Sequence, residues 1–498
     1  MSEIPNSSDK ASDNRQVDVD VLIVGAGLAG IGFAHHLQTK CRDKSYAILE
    51  ARAALGGTWD LFRYPGIRSD SNMHVYGYAF RPWVDDRSIA PGEVILDYLN
   101  DTASEAGIDQ HIQYNRRVKH AAWSSERAAW TVTIEHTETH EETTMSCNWL
   151  QLCSGYYSYK AGYSPDFQGR AAFKGEIIHP QAWPADFEPD GRRIVVIGSG
   201  ATAVTLIPNL AKTADHVVML QRSPSYIHAE PDIDRAAKTL RRWLPERWAY
   251  ALTRWKNIRL EGIEYAATRK DPEGVKAELL ESARSALPDG FDVTTHFQPP
   301  YDPWDQRVCL SPNGDLFEAF SNGSASIVTD EIEAFIPSGI RLSSGREIEA
   351  DTIVTATGLN MMLGGDISLS VDGTQVSLAE TWLYRGIMFS GIPNMAAAIG
   401  TFTTSYTLRI ELIADYVCRL INHMEGSSHH IATPTLPVSK EAMPANAYVE
   451  DFSSGYLMRA MDQLPKQGDT VPWLNLQSYP ENKRVLSAKI DDGVLTFI

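Results

Sequence analysis

A glycine-rich turn follows the first apolar strand of the chain and constrains its fold more than any other feature. Val17–Val24 alternates at its start and then becomes continuously apolar and β-branched, which predicts a buried parallel strand. It runs into Gly25, Gly27 and Gly30, spaced as GxGxxG, and then into a helical stretch that reaches Leu37. These glycines permit a tight turn, close backbone approach and close helix packing, and the helix N-terminus presents free N–H groups. The pattern predicts a Rossmann-like unit that binds a dinucleotide.

The segment around the next predicted strand indicates which dinucleotide binds. Tyr46–Leu49 is apolar and ends at Glu50, 20 residues after Gly30, where a carboxylate accepts hydrogen bonds from adenosine ribose hydroxyls. The sequence GGTW, residues 56–59, follows within ten residues and is similar to the second glycine-rich segment of FAD-binding oxidoreductases. A turn used only for packing leaves Glu50 unexplained, although Trp59 could also be a core residue. We predict an FAD site formed by Gly25, Gly27, Gly30, Glu50, Gly57, Thr58 and Trp59.

A second glycine turn predicts a second nucleotide site. The apolar strand Arg193–Ile197 leads into GSGATA, residues 198–203, with alanine in place of the third glycine, a variant that the motif permits. The following strand, Val217–Leu220, is succeeded by Arg222 rather than by an acid. A guanidinium there can hold a 2′-phosphate in a bidentate fork, although a surface arginine with no role is the alternative. We predict that NADPH binds at Gly198, Gly200, Thr202 and Arg222.

Two such sites in one chain imply electron transfer from NADPH to FAD, and the cysteines narrow the choice of final acceptor. The five cysteines are scattered without a CxxC pair, which argues against a flavin-linked disulfide, structural disulfides and a zinc site. Oxygen is therefore the leading acceptor, and no metal site is predicted. The cysteine usage also agrees with a reducing cytoplasm. The net charge of −18 argues against a nucleic-acid partner, because such partners bind a basic face.

The segment Phe173–Pro184 carries a motif that points to one family. Its sequence, FKGEIIHPQAWP, contains FxGxxxHxxxW followed by proline and resembles the fingerprint of the Baeyer–Villiger monooxygenases, which are class B flavoprotein monooxygenases. Further segments, including Gly56–Ser71 and Pro303–Arg307, resemble the mycobacterial, ethionamide-activating branch of this family. The resemblance covers nearly the whole chain from Val21 onward. In the family this fingerprint is a hinge, so we assign His179 that role rather than the role of a general base.

The resemblance implies a reaction and the residues that carry it. Members of the family capture oxygen as a flavin peroxide, which converts ketones into esters or lactones. Their catalytic arginine falls on Arg307, and Arg68 and Asp70 match a pair beside the flavin whose carboxylate orients that arginine. Gln306 stands where some relatives have a lysine for the 2′-phosphate, which shifts phosphate binding onto Arg222. A surface ion pair for Arg307 and a structural turn for Arg68 and Asp70 remain the alternatives.

The identity of the oxidised atom stays open at this point. The predicted partners are a small ketone or sulfide together with oxygen. One alternative is an enzyme that mainly oxidises sulfides or thioamides at sulfur, and another is a non-oxygenating NADPH-linked reductase. Phe402 and Tyr406 lie where relatives line the substrate pocket, although ordinary core packing would also explain them.

The predicted fold class is α/β, with two Rossmann-like dinucleotide-binding domains and the NADPH domain inserted in the FAD domain. We expect a disordered segment over 1–16, an FAD domain over 17–157 and 345–498, and an NADPH domain over 158–344 with a helical insert at about 232–290. No segment has the length and apolarity of a transmembrane helix. In the insert, Trp248, Leu252, Trp255 and Ile258 recur at helical spacing beside several arginines. This predicts a helix packed between domains, with contact to a membrane surface as the alternative.

Overall fold

The strands of the described residues build two larger sheets and four small ones. The computed structural model describes residues 16–498, so the predicted disordered segment 1–16 lies outside the described residues except for Gln16. The strands, in chain order, are β1 (Val19–Val24), β2 (Tyr46–Leu49), β3 (Ile112–Gln113), β4 (Arg116–Ser124), β5 (Ala129–His136), β6 (Glu142–Leu152), β7 (Glu176–Ile178), β8 (Arg193–Ile197), β9 (His216–Gln221), β10 (Ile227–Glu230), β11 (Cys309–Pro312), β12 (Ala325–Thr329), β13 (Ile332–Ile336), β14 (Gly339–Leu342), β15 (Glu347–Glu349), β16 (Thr352–Thr355), β17 (Ser368–Val371), β18 (Thr374–Val376), β19 (Leu383–Tyr384), β20 (Met388–Phe389), β21 (Met395–Ala397), β22 (Ala432–Pro434) and β23 (Leu495–Phe497).

The helices cover the sheets and fill a long insert between β10 and β11. In chain order they are α1 (Leu28–Lys40), α2 (Thr58–Leu61), α3 (Met73–Tyr76), α4 (Gly92–Glu105), α5 (Ala201–Leu210), α6 (Arg235–Trp243), α7 (Glu246–Lys270), α8 (Pro272–Ala286), α9 (Val293–Phe297), α10 (Asp315–Ser321), α11 (Tyr406–Gly426), α12 (Gly455–Ala460) and α13 (Tyr479–Leu486). Within residues 16–498, no helix is long and apolar enough to cross a membrane.

The first sheet surrounds the strand that precedes the first glycine turn. Its order is β18-β17-β4-β5-β6-β1-β2-β3, with β21 also pairing with β6. The strand β1 is parallel to both β2 and β6, and it is buried from Val21 to Val24, as its continuous apolar run requires. The meander β4–β5–β6 is antiparallel and extends the Rossmann-like core on one side.

The second sheet surrounds the strand that precedes the second glycine turn. All its pairings are parallel, in the order β12-β9-β8-β16-β7. The predicted strand Arg193–Ile197 is observed with the same bounds as β8, and the following strand runs slightly longer than predicted, over His216–Gln221. The prediction of an α/β fold with two Rossmann-like sheets is therefore confirmed.

The predicted return to the FAD domain at residue 345 is placed too early. Thr352–Thr355 lies inside the second sheet, where it pairs with β8 on one side and β7 on the other. Its Ile353 and Val354 are fully buried, because an inner strand of a parallel sheet is covered on both faces. We propose that the NADPH domain continues through Thr355 and that the chain crosses back beside Gly358.

The two chain segments that cross between the domains are paired with each other. The Ser158 N–H donates to the Asn360 carbonyl at 2.8 Å, and the Tyr163 N–H donates to the Gly358 carbonyl at 3.0 Å. Near the FAD domain, Tyr157 and Met361 form an isolated antiparallel bridge. The outward and returning chains therefore make a two-stranded ribbon, which we call the crossing ribbon.

The helical insert packs on the FAD domain, but the predicted apolar stripe faces the wrong way. The Arg254 side chain of α7 is buried, forms an ion pair with Glu411 at 2.8 Å, and donates to the carbonyl groups of Val75 and Gly77. These polar contacts hold the Arg254 side of α7 against the FAD domain. Trp248 and Trp255 therefore point outward and are exposed. The stripe prediction was wrong because a buried arginine at the interface reverses the usual pattern of apolar residues inside.

Candidate active site

The first glycine turn has the backbone geometry that its sequence predicts. Gly25 has φ of +104°, and a Cβ atom built there would lie 2.6 Å from the Cys153 carbonyl oxygen. A Cβ on Gly30 would overlap the Gly25 carbonyl oxygen itself. Because both clashes involve main-chain atoms, neither position has room for a side chain. The turn is thereby fixed against β6, and α1 begins at Leu28 with its free N–H groups facing outward.

The predicted ribose acid lies beside this turn. Glu50 is buried, and its carboxylate accepts hydrogen bonds from the Ala26 N–H at 2.8 Å and the Arg52 N–H at 2.9 Å. Burial raises the pKa of Glu50, and these two N–H donors oppose that shift. Each oxygen keeps acceptor capacity for a hydroxyl. The position at the end of β2, next to the turn, fits an adenosine ribose.

The second glycine pair approaches the first turn closely enough to frame one ligand. A Cβ atom on Gly57 would lie 3.1 Å from the Gly27 Cα atom, so the two backbones pass within van der Waals contact. Thr58 begins α2 directly after this pair. The Trp59 indole N–H donates to the Tyr76 hydroxyl at 2.9 Å. This tryptophan, which lies near the turn, is therefore held in place by a hydrogen bond. Together these loops fit the FAD pyrophosphate that the sequence predicts.

The second turn is tied to the segment that carries the predicted phosphate-binding arginine. The Ser199 hydroxyl donates to the Ser223 carbonyl at 3.0 Å and contacts the Ser225 hydroxyl at 2.9 Å. Arg222 immediately precedes this segment and is exposed. Gly200 has open space where a side chain would be, and Thr202 lies in the first turn of α5. This edge therefore fits a nucleotide pyrophosphate with an arginine beside it.

Arg307 is brought to Asp70 by a loop of the NADPH domain. One guanidinium nitrogen donates to the Asp70 carbonyl at 2.8 Å, and it lies 3.5 Å from the Asp70 carboxylate. The guanidinium also lies over the Trp304 ring, 5.1 Å from its centroid. Burial lowers the pKa of Arg307, but the Asp70 charge together with Tyr156, Tyr456 and Cys309 opposes this effect, and the pKa is raised overall. The arginine is therefore a fixed cation at the boundary between the two domains.

Arg68 is directed elsewhere. Its guanidinium forms an ion pair with Asp315, the first residue of α10, and it is half-buried. The predicted trio of Arg68, Asp70 and Arg307 is thus split, since Asp70 faces Arg307 while Arg68 joins the FAD domain to the NADPH domain. Sequence proximity placed Arg68 with Asp70, but the chain bends at Asp70 and the two side chains have different partners.

An aromatic cluster adjoins Arg307 on the side opposite Asp70. The Phe402 carbonyl accepts from the second guanidinium nitrogen at 3.5 Å. The Phe402 ring stacks on the Phe452 ring, with 5.2 Å between their centroids. The centroids of the Tyr156 and Tyr456 rings lie 6.1 and 6.3 Å from that of Phe402. Phe452 and Tyr456 come from the C-terminal part of the chain, which contacts the Arg307 loop through a Ser453 N–H bond to the Asp305 carbonyl at 2.7 Å. The arginine therefore borders an apolar, aromatic wall.

Comparison with known proteins decides the family. A flavin-binding monooxygenase-like family model matches residues 64–236, and a NAD(P)-binding Rossmann-like model matches residues 23–85. The FAD-containing monooxygenase EthA of Mycobacterium tuberculosis is 49% identical over 482 residues, which cover 96% of this chain and 97% of that protein. EthA of Mycolicibacterium smegmatis is 48% identical over 480 residues, with 96% of each chain covered. This chain belongs to the FAD-containing monooxygenase family.

Solved structures show the same fold. An NADP-bound steroid monooxygenase matches with a TM-score of 0.79 at 21% identity, covering 96% of this chain and 99% of its own. An ε-caprolactone-bound cyclohexanone monooxygenase matches with a TM-score of 0.73 at 20% identity and the same coverage. The prediction of an FAD-containing monooxygenase is thus confirmed, and the NADP in the first structure agrees with the predicted second cofactor. The roles of the individual site residues stay predictions.

The family fingerprint joins the crossing ribbon to the second sheet of this FAD-containing monooxygenase. Its segment Glu176–Ile178 forms the edge strand β7. A ring nitrogen of His179 lies 3.2 Å from the Gly358 carbonyl of the ribbon, and the same ring leaves no room for a side chain on Gly162. Its contacts with both crossing segments agree with the predicted hinge role.

Glu261 is a site residue that the sequence analysis missed. It lies on the inner face of α7, and one of its carboxylate oxygens is buried without a hydrogen-bond partner among residues 16–498. Burial raises the pKa of Glu261 to about 7, while the nearby Arg307 charge opposes this shift. Arg254, Asn257 and Glu261 recur at i, i+3 and i+7, and this polar stripe at helical spacing could have identified a buried polar face.

Replacing Glu261 with glutamine is expected to change the pH dependence of stability. The folded-state pKa of about 7 exceeds the ordinary 4.5, so the wild type loses stability as pH rises from about 4.5 through about 7. That loss is on the order of 1–3 kcal/mol, and the neutral glutamine avoids it. Thermal denaturation should show Glu261→Gln more stable than the wild type at pH 8 and equal to it near pH 5. An equal difference in stability between the variant and the wild type at both pH values would contradict a raised pKa for Glu261.

Proposed function

We propose that this enzyme uses NADPH, FAD and oxygen to insert an oxygen atom beside the carbonyl of an apolar ketone, giving an ester or lactone. The observation that carries the proposal is the Arg307 guanidinium, fixed between the Asp70 main chain and the Phe402 carbonyl. The same arginine borders the aromatic cluster of Tyr156, Phe402 and Tyr456. A cation beside an apolar wall suits a reaction that develops negative charge on an otherwise apolar substrate.

When bound and reduced by NADPH, FAD would activate molecular oxygen so that one of its two atoms could be transferred to the substrate, the other leaving as water. The protein residues have separate tasks. Glu50 and the two glycine loops hold the FAD nucleotide, and the turn at Gly198 with Arg222 holds NADPH. Arg307 stabilises negative charge on the substrate oxygen, where low dielectric strengthens its effect. The aromatic side chains from the C-terminal part exclude water and cover the apolar parts of the substrate.

A panel of ketones and sulfides tests the proposal. The holoenzyme is supplied with NADPH and oxygen, and esters, sulfoxides and hydrogen peroxide are measured against NADPH consumed. We expect esters or lactones from apolar ketones, with sulfoxides as a second product class. Sulfoxides without any ester would show that sulfur is the oxidised atom. Hydrogen peroxide as the sole product with every substrate would reject a role in oxygenation.

The position of the cysteines speaks against a disulfide reductase. The Cys41 thiol lies near the Cys418 carbonyl, at 3.5 Å, so these two residues are neighbours although 377 positions apart. They sit at the C-terminal end of α1, and its 13 residues separate them from the glycine turn by roughly 20 Å. A redox pair served by the flavin would have to lie beside it. All five cysteines are free and buried, which supports our proposal of a reducing, cytoplasmic location.

Replacing Arg222 with alanine should weaken binding of NADPH far more than of NADH. A charged hydrogen bond from guanidinium to the 2′-phosphate is worth about 1.5–3 kcal/mol, so the Michaelis constant for NADPH should rise about 10- to 100-fold. NADH lacks this phosphate and serves as the internal control, with a change of less than about twofold. Steady-state kinetics with both coenzymes measures the difference. An equal rise for both would remove Arg222 from the phosphate site.

A further inference from the structure

The insert helices expose tryptophan to solvent. Trp243 is 82% exposed, Trp248 68% and Trp255 58%, whereas the other tryptophans of the described chain are buried or half-buried. Leu252 and Ile263, also on α7, are 43% and 64% exposed. Large apolar side chains gathered at one exposed place mark an interaction surface rather than ordinary surface variation. We call Trp248, Leu252, Trp255, Arg259 and Ile263 the outer face of α7.

The helical register makes this surface continuous. The outer-face residues are spaced by four, three, four and four positions, which places them along one side of a helix. The opposite side is buried against the FAD domain and contains Ala249, Tyr250, Thr253, Arg254 and Asn257. Since Arg254 fixes that inner side through Glu411, α7 cannot rotate to bury its tryptophans. The outer face is therefore left uncovered by residues 16–498.

The charge around this face is opposite to the charge of the whole protein. Residues 235–270 carry ten lysine and arginine side chains and three glutamates, in a chain of net charge −18. Five of the basic side chains form ion pairs with carboxylates, namely Lys238, Arg241, Arg254, Lys256 and Arg269, and the other five include Arg259 on the outer face. The Arg259 guanidinium stacks over the Trp255 ring, 4.8 Å from its centroid. Arg242 and Arg247 are exposed near the start of α7. A partner must therefore accept apolar side chains and also present negative charge.

We propose that the outer face of α7 docks on the anionic surface of a phospholipid membrane, with the helix lying in the plane of the interface. Tryptophan rings suit the boundary between headgroups and acyl chains, and arginine side chains can extend from there to lipid phosphates. A second copy of the chain is a less suitable partner for the outer face than an anionic membrane. In a two-fold interface the same patch meets itself, which brings the basic side chains of both copies together.

The other side of the same helix reaches the catalytic loop. Near the end of α7, the Arg269 guanidinium donates to the Asp305 carboxylate at 2.8 Å, two residues before Arg307. Docking by the outer face thus places the Arg307 loop about one helix diameter, roughly 10 Å, from the lipid surface. A substrate dissolved in the membrane would have a short path to the site.

Vesicle flotation of the FAD-loaded enzyme tests the proposal directly. Phosphatidylcholine vesicles with and without phosphatidylglycerol are the probes, and bound protein is measured at low and high salt. We expect about tenfold or greater preference for the anionic vesicles, reduced by salt, because basic side chains are attracted to an anionic lipid surface and salt screens this attraction. The double variant Trp248→Gln, Trp255→Gln should lose at least about tenfold in binding and keep wild-type FAD content.

Further variants distinguish the outcomes. Val438→Gln removes an exposed apolar side chain that lies outside α7 and should bind vesicles like the wild type. Arg242→Gln with Arg247→Gln should lower the preference for anionic lipid while keeping residual binding. No binding of the wild type to either vesicle, or undiminished binding of the tryptophan double variant, overturns the proposal. A wild-type dimer that the tryptophan variant converts to a monomer would assign the face to a second copy instead.

Discussion

Replacing Arg307 with alanine will leave reduction of the flavin by NADPH intact and remove nearly all oxygenated product. The guanidinium is the fixed cation of the site, held by the Asp70 carbonyl and carboxylate and by the Phe402 carbonyl. Loss of one preorganised charge-stabilising group costs roughly 100- to 1,000-fold in rate. Because the variant still accepts electrons, oxygen consumption should continue and the electrons should appear as hydrogen peroxide.

Two measurements distinguish a specific loss of oxygenation from misfolding of the Arg307→Ala variant. Anaerobic stopped-flow gives the rate of flavin reduction, and product analysis under air gives the yield of ester per NADPH. Arg341→Ala is the matched control, because it removes a surface arginine that pairs with Glu333 in the NADPH domain. It should behave as the wild type in both assays. An Arg307→Ala enzyme that still forms ester in wild-type yield would show that this arginine has no part in the oxygenation step.

Replacing Gly30 with alanine will abolish FAD binding. The added Cβ would overlap the Gly25 carbonyl oxygen, and neither atom can move without separating α1 from β1. The second turn has alanine at the corresponding position, Ala203, so the motif in general does not require glycine there. The first turn requires glycine because α1 lies so close to it. We expect purified protein with less than about a tenth of the normal flavin, or no folded protein.

The flavin absorbance per protein and the melting temperature check this prediction. Gly426→Ala provides the control, because this glycine ends α11 and a Cβ there meets no atom within 4 Å. That variant should retain full FAD. If Gly30→Ala bound FAD in full and melted at the wild-type temperature, the close contact between the helix and the turn would not be required for the cofactor.

Local sequence patterns predict the cofactor-binding cores well. The strands over Tyr46–Leu49 and Arg193–Ile197 have the predicted bounds, because a buried strand followed by a glycine turn is specified by neighbouring residues alone. The Asp70–Arg307 contact joins residues 237 positions apart, and it was predictable only through family resemblance. No local pattern could indicate that Arg68 turns to Asp315 instead.

The sequence misleads where tertiary contacts reverse a local rule. The apolar stripe of α7 has the spacing of a core face, yet the ion pair of Arg254 with Glu411 determines which side is buried. Glu261 is buried on the inner side of α7 for the same reason. The domain boundary near residue 345 was also misplaced, because β16 is apolar in either sheet and only its partners β7 and β8 identify the domain.

The crossing ribbon has a mechanical consequence for how the enzyme moves between its two half-reactions. A single connecting chain would allow the NADPH domain to rotate in any direction. Two strands bonded to each other between Ser158 and Asn360 and between Tyr163 and Gly358 bend easily across their plane but resist splaying within it. We therefore expect the NADPH domain to move more easily across the plane of the ribbon than within it.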